Sequence, residues 1–327
     1  MSSLSHSMPF EEPLLQLERV IANIEKVMVG KRRPVELVLT SLLCGGHVLL
    51  EDVPGVGKTI LVKALAKTVD AGFRRIQFTP DLLPSDVTGV SVYNRGLSAF
   101  QFRPGPLFTN IVLADELNRT SPKTQAALLE AMEERHVTVD GETYPLPRPF
   151  LILATQNPLD HAGTYQLPEA QLDRFFMRIR LGYPDRGHEV EMMGRMQETS
   201  PLDTLKPVLM VEELQVLQRQ VRHVHVDESL KEYMVELAAA TRKHKDAVLG
   251  ASPRAVLALM LAAQGTAYRK GRSYVVPDDI KDMLEPVLAH RILLTQEARM
   301  AGRVSELILR QAIAEVPVPG LRYAPGS

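Results

Sequence analysis

The sequence has a single cysteine, almost no net charge and no long apolar run. Cys44 is the only cysteine among 327 residues, which excludes an intrachain disulfide and a metal site built from several cysteines. We expect Cys44 to be a small buried apolar residue. Residues 1–12 lack the basic start and apolar core of a secretory signal. Runs such as 150–154 are far shorter than the roughly 20 apolar residues that cross a bilayer. These absences predict a cytoplasmic protein without membrane insertion.

The charges are balanced and evenly spread. Lys and Arg total 38 against 39 Asp and Glu, which gives a formal charge of -1. Residues 1–183 hold 19 basic and 20 acidic side chains, and residues 184–327 hold 19 of each. Affinity for nucleic acid comes largely from clustered Lys and Arg, so this distribution argues against a dedicated nucleic-acid-binding surface. With 45% hydrophobic and 24% charged residues, the chain has the composition of a globular protein of about two domains.

Short apolar runs alternate with helical patterns in the first part of the chain. The spacing of apolar residues predicts a first helix at 14–27. Predicted strands lie at 47–50, 75–78, 110–114, 150–154 and 177–181, and predicted helices lie at 58–69 and 122–134. Several of these strands are apolar on both faces, which is typical of a covered parallel sheet. The alternation predicts an α/β core.

Strand signals almost stop after Pro184. Apolar residues then recur at helical spacing in five segments, at 211–221, 228–244, 253–269, 277–288 and 304–314. We therefore predict a core domain at 1–184 and an all-helical domain at 185–327. We interpret the group of Met192, Met193 and Met196 as side chains that fill the apolar core.

Two segments do not fit the simple alternation. Residues 88–93 and 99–103 have the pattern of two hairpin arms around Asn94-Arg95-Gly96, and residues 136–145 predict a second hairpin around Asp140-Gly141. Such surface hairpins often carry contacts with partners, although a simple decoration of the core fits the sequence equally well.

A loop of the phosphate-binding type follows the first predicted strand. The loop reads Glu51-Asp52-Val53-Pro54-Gly55-Val56-Gly57-Lys58-Thr59, with Asp52 where the usual pattern has its first glycine. Glycines at 55 and 57 let backbone N–H groups wrap phosphate oxygens without a Cβ clash. We expect Lys58 to contact the β- and γ-phosphates of a nucleotide and the Thr59 hydroxyl to bind Mg²⁺. The alternative is a glycine-rich turn with an incidental lysine.

A second predicted strand ends in two adjacent carboxylates, Asp115 and Glu116. The carboxyl edge of a parallel sheet is where α/β folds place ligands. Asp115 can orient Mg²⁺ through its water shell, and Glu116 can polarise the water that attacks the γ-phosphate. A kinase or small GTPase does not need the second carboxylate, whereas an ATP hydrolase does. A solvated strand end is the alternative for this pair taken alone.

Four ordered motifs together give a specific resemblance. They are the loop at 51–59, Ala114-Asp115-Glu116-Leu117-Asn118-Arg119, Ala154-Thr155-Gln156-Asn157-Pro158, and Leu167-Pro168-Glu169-Ala170-Gln171-Leu172-Asp173-Arg174-Phe175. The chain resembles the MoxR family of AAA+ ATPases over nearly its whole length, and an Asp at position 52 is ordinary in that family. The resemblance implies an AAA+ three-layer αβα core with a parallel sheet and an all-helical C-terminal lid. It also implies ATP and Mg²⁺ as cofactors.

The resemblance also implies roles for further residues. Asn157 matches the sensor 1 position, where an amide orients the attacking water, although an Asn-Pro turn would look the same. Arg174 matches the arginine finger that reaches a neighbouring subunit's nucleotide, with simple pairing to Asp173 or to another neighbouring residue as the alternative. Arg254, within Gly250-Ala251-Ser252-Pro253-Arg254-Ala255, matches sensor 2 on the lid, in the same subunit or across the boundary between subunits. Val29 and Gly30 lie where the family holds the adenine.

Three functions compete for this sequence. The first is an ATPase of the MoxR type that remodels or matures protein complexes as a hexameric ring with von Willebrand factor A domain partners. The second is a DNA-associated motor or loader, which the balanced charge argues against. The third is a phosphotransferase with the same loop, which Glu116, Asn157 and Arg174 together oppose.

Overall fold

The computed structural model describes residues 11–156, 164–196 and 201–320. The chain forms two compact units, Met1–Arg219 and Gln220–Ser327. Each unit has its own buried apolar core. Cys44 is buried, as expected from the sequence.

The first unit is built around a five-stranded sheet. Its strands are β1 (Val48–Glu51), β2 (Phe73–Gln77), β5 (Ile111–Asp115), β8 (Leu151–Gln156) and β9 (Met177–Ile179). They lie in the order β2-β5-β8-β1-β9, and every neighbouring pair is parallel. All six residues of the central strand β8 are buried, because helices surround the sheet. The five predicted strands are confirmed to within a few residues, and the predicted parallel α/β core is confirmed.

Helices of the first unit follow the apolar periodicity of the sequence. They are α1 (Glu11–Glu25), α2 (Arg32–Cys44), α3 (Lys58–Thr68), α4 (Pro84–Thr88), α5 (Pro122–Glu134), α6 (Glu169–Leu172), α7 (Arg186–Met196), α8 (Pro201–Thr204) and α9 (Val211–Val221, whose last two residues belong to the second unit). Helix α5 begins and ends at the predicted residues, because Ser121 caps its first turn and Arg135 ends it in a left-handed conformation. The short helices α4, α6 and α8 were not predicted, since four or five residues show no apolar period.

The first compact unit extends well beyond the boundary that the sequence predicts at 184/185. The segment after that boundary is hydrogen-bonded to the first unit: the amide of Asn23 donates to the carbonyl of Lys206 at 3.0 Å, and the backbone N–H of Val208 donates to the carbonyl of Thr68 at 2.9 Å. The Gln218 amide donates to the carbonyl of Leu42. By packing, the units divide between Arg219 and Gln220. The division between the two compact units is therefore set by long-range contacts, and it does not coincide with the point where the predicted strands end.

The core-filling interpretation of the methionines on α7 is wrong for two of them. Met192 is 38% exposed and Met193 is 72% exposed. Helix α7 carries charged residues on most of its turns, and it has a low apolar content for a core helix. An unbranched apolar side chain in such a helix is not evidence of burial. The side chain of Met196 lies outside the part of the chain that the structure describes.

Both predicted hairpins are present. Strands β3 (Gly89–Asn94) and β4 (Ala99–Pro104) form one, and β6 (His136–Val139) and β7 (Glu142–Pro145) form the other. Asp140 and Gly141 both have positive φ, at 51° and 82°, which is the geometry of the two-residue turn that the Asp-Gly pair predicts. The rings of Phe102 and Tyr144 stack with centroids 4.0 Å apart and join the two hairpins.

The second unit is mainly helical. Its helices are α10 (Glu228–Lys243), α11 (Pro253–Arg269), α12 (Pro277–Leu288), α13 (Gln296–Met300) and α14 (Ser305–Glu315). The prediction of an all-helical domain is wrong in one detail, because β10 (Ala247–Leu249) and β11 (Leu293–Leu294) form a small antiparallel ribbon. The ribbon is too short to give a period-two pattern in the sequence. Within the described ranges, no helix is long and apolar enough to cross a membrane.

Candidate nucleotide site

The loop between β1 and α3 has the backbone of a phosphate cradle. Gly55 and Gly57 both lie in the left-handed region, with φ of 87° and 94°. Side chains rarely adopt these values, so both positions favour glycine. The space beside Gly55 is open, since a Cβ built there would meet no atom within 4 Å. Helix α3 starts at Lys58 directly after the loop, and its first N–H groups lack helical partners, which favours an anion there.

Lys58 lies across this loop. Its Nζ donates to the backbone carbonyl of Asp52 at 2.6 Å and to that of Val53 at 3.2 Å. Burial lowers the pKa of Lys58 below the usual lysine value, and the charges of Asp52, Asp115 and Glu116 partly offset this effect. The ammonium group is thus held in the loop and close enough to three carboxylates to respond to their charge.

The Asp52 carboxylate fixes the loop to the segment after β9. One oxygen accepts from the backbone N–H of Val53 at 2.9 Å. The other accepts from the N–H groups of Leu181 and Gly182 at 2.7 and 2.6 Å. Lys31 Nζ contacts the same two residues, because it donates to the carbonyls of Leu181 and Gly182 at 2.8 and 2.9 Å. Asp52 therefore does more than replace a glycine, because it holds the start of the loop through three hydrogen bonds.

Asp115 ends β5 with both carboxylate oxygens bonded. Its Oδ1 accepts from the hydroxyl of Thr155 at 2.6 Å. Its Oδ2 accepts from Nε and Nη2 of Arg75 at 3.0 and 2.6 Å. Arg75 lies on the neighbouring strand β2, whose parallel register with β5 pairs Gln77 with Asp115. This register brings Arg75 within reach of the Asp115 carboxylate. The carboxylate is thus fixed in direction by groups from the two strands that flank β5.

Glu116 turns away from the strand. Its φ of 58° places it in the left-handed region, which is uncommon for glutamate. Its backbone N–H donates to the Thr155 hydroxyl at 2.8 Å, and its Oε2 accepts from the Gln77 amide at 2.6 Å. Arg119 forms an ion pair with the same oxygen at 3.4 Å. The turn gives Asp115 and Glu116 different directions although they are adjacent in sequence.

The strand order brings the loop and the carboxylates to one edge of the sheet. Strands β1 and β5 both pair with β8, and all three are parallel, so their carboxyl ends meet. The donor set at this edge comprises a lysine, a left-handed glycine loop, a hydroxyl at Thr59 in the first turn of α3, and two carboxylates. These groups fit a nucleoside triphosphate with Mg²⁺, since cations and backbone N–H groups bind phosphate while hydroxyl and carboxylate oxygens are ligands for Mg²⁺.

The residues that the resemblance assigns to the adenine lie beside the loop. Val29 is buried, and Gly30 has a φ of 67°. This left-handed conformation favours glycine, and a Cβ built on Gly30 would lie 2.4 Å from Nδ1 of His188, so a larger residue requires the His188 ring to move. A Cβ built on Gly57 would lie 3.5 Å from Cε of Met28, which places Met28, the residue before Val29, beside the phosphate loop.

Two of the other predicted residues, Arg174 and Arg254, are within the described ranges and belong to different units. Arg174 lies between α6 and β9, and its Nη1 forms an ion pair with Glu133 at 2.9 Å and donates to the carbonyl of Leu129 at 3.2 Å, both on α5. Arg254 is an exposed residue in the first turn of α11, in the second unit. Asn157 lies outside the residues that the structure describes.

Three residues of the site were not singled out from the sequence. Arg75 and Gln77 are two residues apart on β2 and so lie on the same face of that strand. Polar and charged residues are ordinary on an edge strand, so they give no signal of a site. Thr155 lies within the motif at 154–158, but the resemblance assigns no role to it. The signal that could have found all three is the register of the sheet, which places these side chains beside Asp115 and Glu116.

Known proteins share both parts of this architecture. Residues 47–177 match the family model described as ATPase family associated with various cellular activities (AAA), and residues 239–312 match the AAA lid domain. The Bacillus subtilis protein YeaC is 53% identical, over 97% of this chain and 99% of its own length. The chaperone MoxR1 of Mycobacterium tuberculosis is 43% identical, over 94% of this chain and 84% of its own length. The chain belongs to the MoxR family of AAA+ ATPases.

A solved structure supports the same assignment of the fold. A crystal structure of a Cytophaga hutchinsonii protein assigned as an ATPase aligns with a TM-score of 0.89 and 40% identity. The alignment covers 94% of this chain and 96% of the Cytophaga hutchinsonii chain. The resemblance to the MoxR family and the AAA+ αβα fold with a helical lid are therefore confirmed.

Proposed function

We propose that this MoxR-family ATPase hydrolyses ATP with Mg²⁺ and uses the reaction for chaperone-like remodelling or maturation of protein complexes. One observation carries the proposal. The strand that pairs with β1, just before the phosphate loop, also holds both Asp115 and Glu116 through Thr155. A phosphate cradle and two differently directed carboxylates are what a triphosphate hydrolase requires.

Each group has a separate task in this proposal. Lys58 and the loop residues 54–59 bind the phosphates, and Thr59 and Asp115 hold the Mg²⁺ that neutralises the charge on them. Glu116 polarises the attacking water, and Asn157 orients it. Val29 and Gly30 contact the adenine. Arg254 links the state of the nucleotide to the lid.

The proposal includes a homo-oligomeric ring, with a hexamer as the expected form. The match of Arg174 to the arginine-finger position supports it, because a finger of this kind acts on the nucleotide of a neighbouring subunit. Partners with a von Willebrand factor A domain are proposed from the family resemblance, and the name of the relative chaperone MoxR1 supports a client protein.

ATP hydrolysis by the full chain and by Lys58→Ala tests the function. Lys58→Ala removes the cation that binds the phosphates, so we expect nucleotide binding and hydrolysis to be lost together. Hydrolysis of ATP by Lys58→Ala at the parent rate would overturn the assignment of the site.

Single- and double-stranded DNA added to the same assay test the substrate class. We expect no change in the hydrolysis rate, because basic and acidic residues are balanced throughout the chain. Strong stimulation by DNA would replace the proposed remodelling function with that of a DNA-associated motor.

A further inference from the structure

Thr155 lies where three strands of the site meet. It belongs to β8, whose backbone register pairs Thr155 with Leu50 of β1, two residues before Asp52 begins the phosphate loop. On the other side, β8 pairs with β5 up to Ala114, the residue before Asp115. Thr155 therefore lies between the strand that leads to the phosphate loop and the strand that ends in the carboxylates.

The Thr155 hydroxyl uses its single proton and a lone pair on these carboxylate residues. It donates to Asp115 Oδ1 at 2.6 Å and accepts from the backbone N–H of Glu116 at 2.8 Å. The short distance to Asp115 is that of a hydrogen bond to a charged acceptor. The side chain is buried, with 2% of Thr155 exposed, so water cannot readily replace either bond.

Each of these bonds fixes a different feature of the carboxylate pair. The bond to Asp115 fixes the rotation of its carboxylate, whose other oxygen is held by Arg75. The bond to Glu116 satisfies an N–H that leaves the strand ladder where the backbone turns to a φ of 58°. Without the hydroxyl, both the orientation of Asp115 and the turn at Glu116 lose their buried partner.

We propose that Thr155 is a positioning residue that sets the metal-directed carboxylate of Asp115 and the turn of Glu116 relative to the phosphate loop. Thr155 touches neither nucleotide nor metal in this proposal. Loss of the Thr155 hydroxyl weakens the contribution of Mg²⁺ to nucleotide binding and hydrolysis more than it weakens the binding of Mg²⁺-free nucleotide. The reason is that the phosphate loop keeps its own hydrogen bonds through Asp52. This inference rests on the proposed hydrolysis of ATP.

The test compares two substitutions in the full-length chain. Thr155→Val removes the hydroxyl at nearly constant volume, and Thr155→Ser keeps it. The matched control is Thr124→Val, which removes another buried threonine hydroxyl of the first unit, one that donates to the carbonyl of Leu82 at 2.8 Å. If Thr155→Val does not fold, Thr155→Ala replaces it, since alanine also lacks the hydroxyl and adds no atoms.

Two readouts separate positioning from simple stability. The first is the affinity for a non-hydrolysable ATP analogue, measured with Mg²⁺ and with EDTA. The second is the Mg²⁺ concentration that gives half-maximal ATP hydrolysis. For Thr155→Val we expect the Mg²⁺-dependent gain in affinity to fall by about tenfold. This is the lower end of the effect that follows when a metal ligand loses a hydrogen-bond partner. Half-maximal hydrolysis should need correspondingly more Mg²⁺, with binding in EDTA unchanged.

Thr155→Ser should resemble the parent in both readouts, and Thr124→Val should lower only the thermal midpoint. Parent-like Mg²⁺ dependence in Thr155→Val would overturn the inference, as would a Thr155→Ser protein that is impaired to the same degree. If the parent itself hydrolyses no ATP, the proposed function fails and takes this inference with it. If the parent hydrolyses ATP through Lys58 and Thr155→Val matches it, only the inference fails.

Discussion

At the scale of single residues, side chains on the strands next to β5 decide how Asp115 and Glu116 are held. Asp115 and Glu116 were predictable because they end an apolar strand. Their partners Arg75, Gln77 and Thr155 were not, because each reaches them across the sheet from a strand distant in sequence. A single sequence shows which residues carry chemistry, whereas the register of the strands decides which residues orient them.

His47 gives a residue-scale prediction about pH. Its ring is buried at the start of β1, where Nδ1 accepts from the Ile152 N–H and Nε2 contacts the carbonyl of Met132, both at 3.0 Å. Burial is the main cause that lowers the pKa of His47 from 6.5 to about 4. The unfolded chain thus takes up a proton near pH 6.5, while the folded chain stays neutral until about pH 4. The stability that neutral His47 contributes is complete above pH 6.5 and is lost as the pH falls towards 4.

We expect this difference to lower the free energy of unfolding by about 2 kcal/mol between pH 7.5 and pH 5. Denaturant unfolding at the two pH values measures it. His47→Gln, which has no titrating ring, should lose that part of the pH dependence. An unchanged pH dependence in His47→Gln would contradict the assigned cause.

At the scale of elements, the long periodic segments were predictable and the short ones were not. Helices α5, α9, α11 and α12 begin and end at the predicted residues, because their apolar spacing runs their full length. In α5 and α11 a serine side chain also caps the first turn. The ribbon of β10 and β11 and the helices α4, α6 and α8 are too short to carry a period. The clamp of Asp52 and Lys31 on residues 181–182 also had no local signal, because it joins segments more than 100 residues apart.

This clamp predicts that Asp52 supports nucleotide binding. Asp52→Ala removes the acceptor of three backbone N–H groups and leaves the start of the phosphate loop without its anchor. We expect the KM for ATP to rise by about tenfold or more, consistent with the loss of charge-assisted hydrogen bonds worth about 2 kcal/mol.

The KM for ATP of Asp52→Ala, measured by steady-state hydrolysis, checks this prediction. Asp203→Ala is the control, since it removes an exposed carboxylate of α8 in the same unit. It should leave KM unchanged. An Asp52→Ala protein with the parent KM would show that the clamp does not shape the loop.

At the scale of the whole molecule, the chain combines an AAA core match at 47–177 with a lid match at 239–312. Its two compact units divide between Arg219 and Gln220, whereas the sequence predicts domains at 1–184 and 185–327. Lys58, Arg174 and Arg254 are the basic residues that the proposal assigns to the nucleotide.

The proposed ring makes a prediction about mixed assemblies. Arg174→Ala and Lys58→Ala should each be inactive alone, the first because it lacks the finger and the second because it binds no phosphate. Mixing them should restore part of the activity, because an intact finger of Lys58→Ala then faces an intact loop of Arg174→Ala. ATP hydrolysis of the mixture, with co-assembly verified by size, measures this. Inactive mixtures that nevertheless co-assemble would contradict a finger that acts between subunits.

In the proposed function the phosphate loop and Glu116 form one hydrolytic site. The most direct measurement compares ATP binding and turnover in Glu116→Gln with those of the parent chain. Gln keeps the shape of the side chain but cannot polarise water as a base. We expect retained ATP binding with turnover slowed by about two to four orders of magnitude. A Glu116→Gln protein that hydrolyses ATP near the parent rate would contradict it.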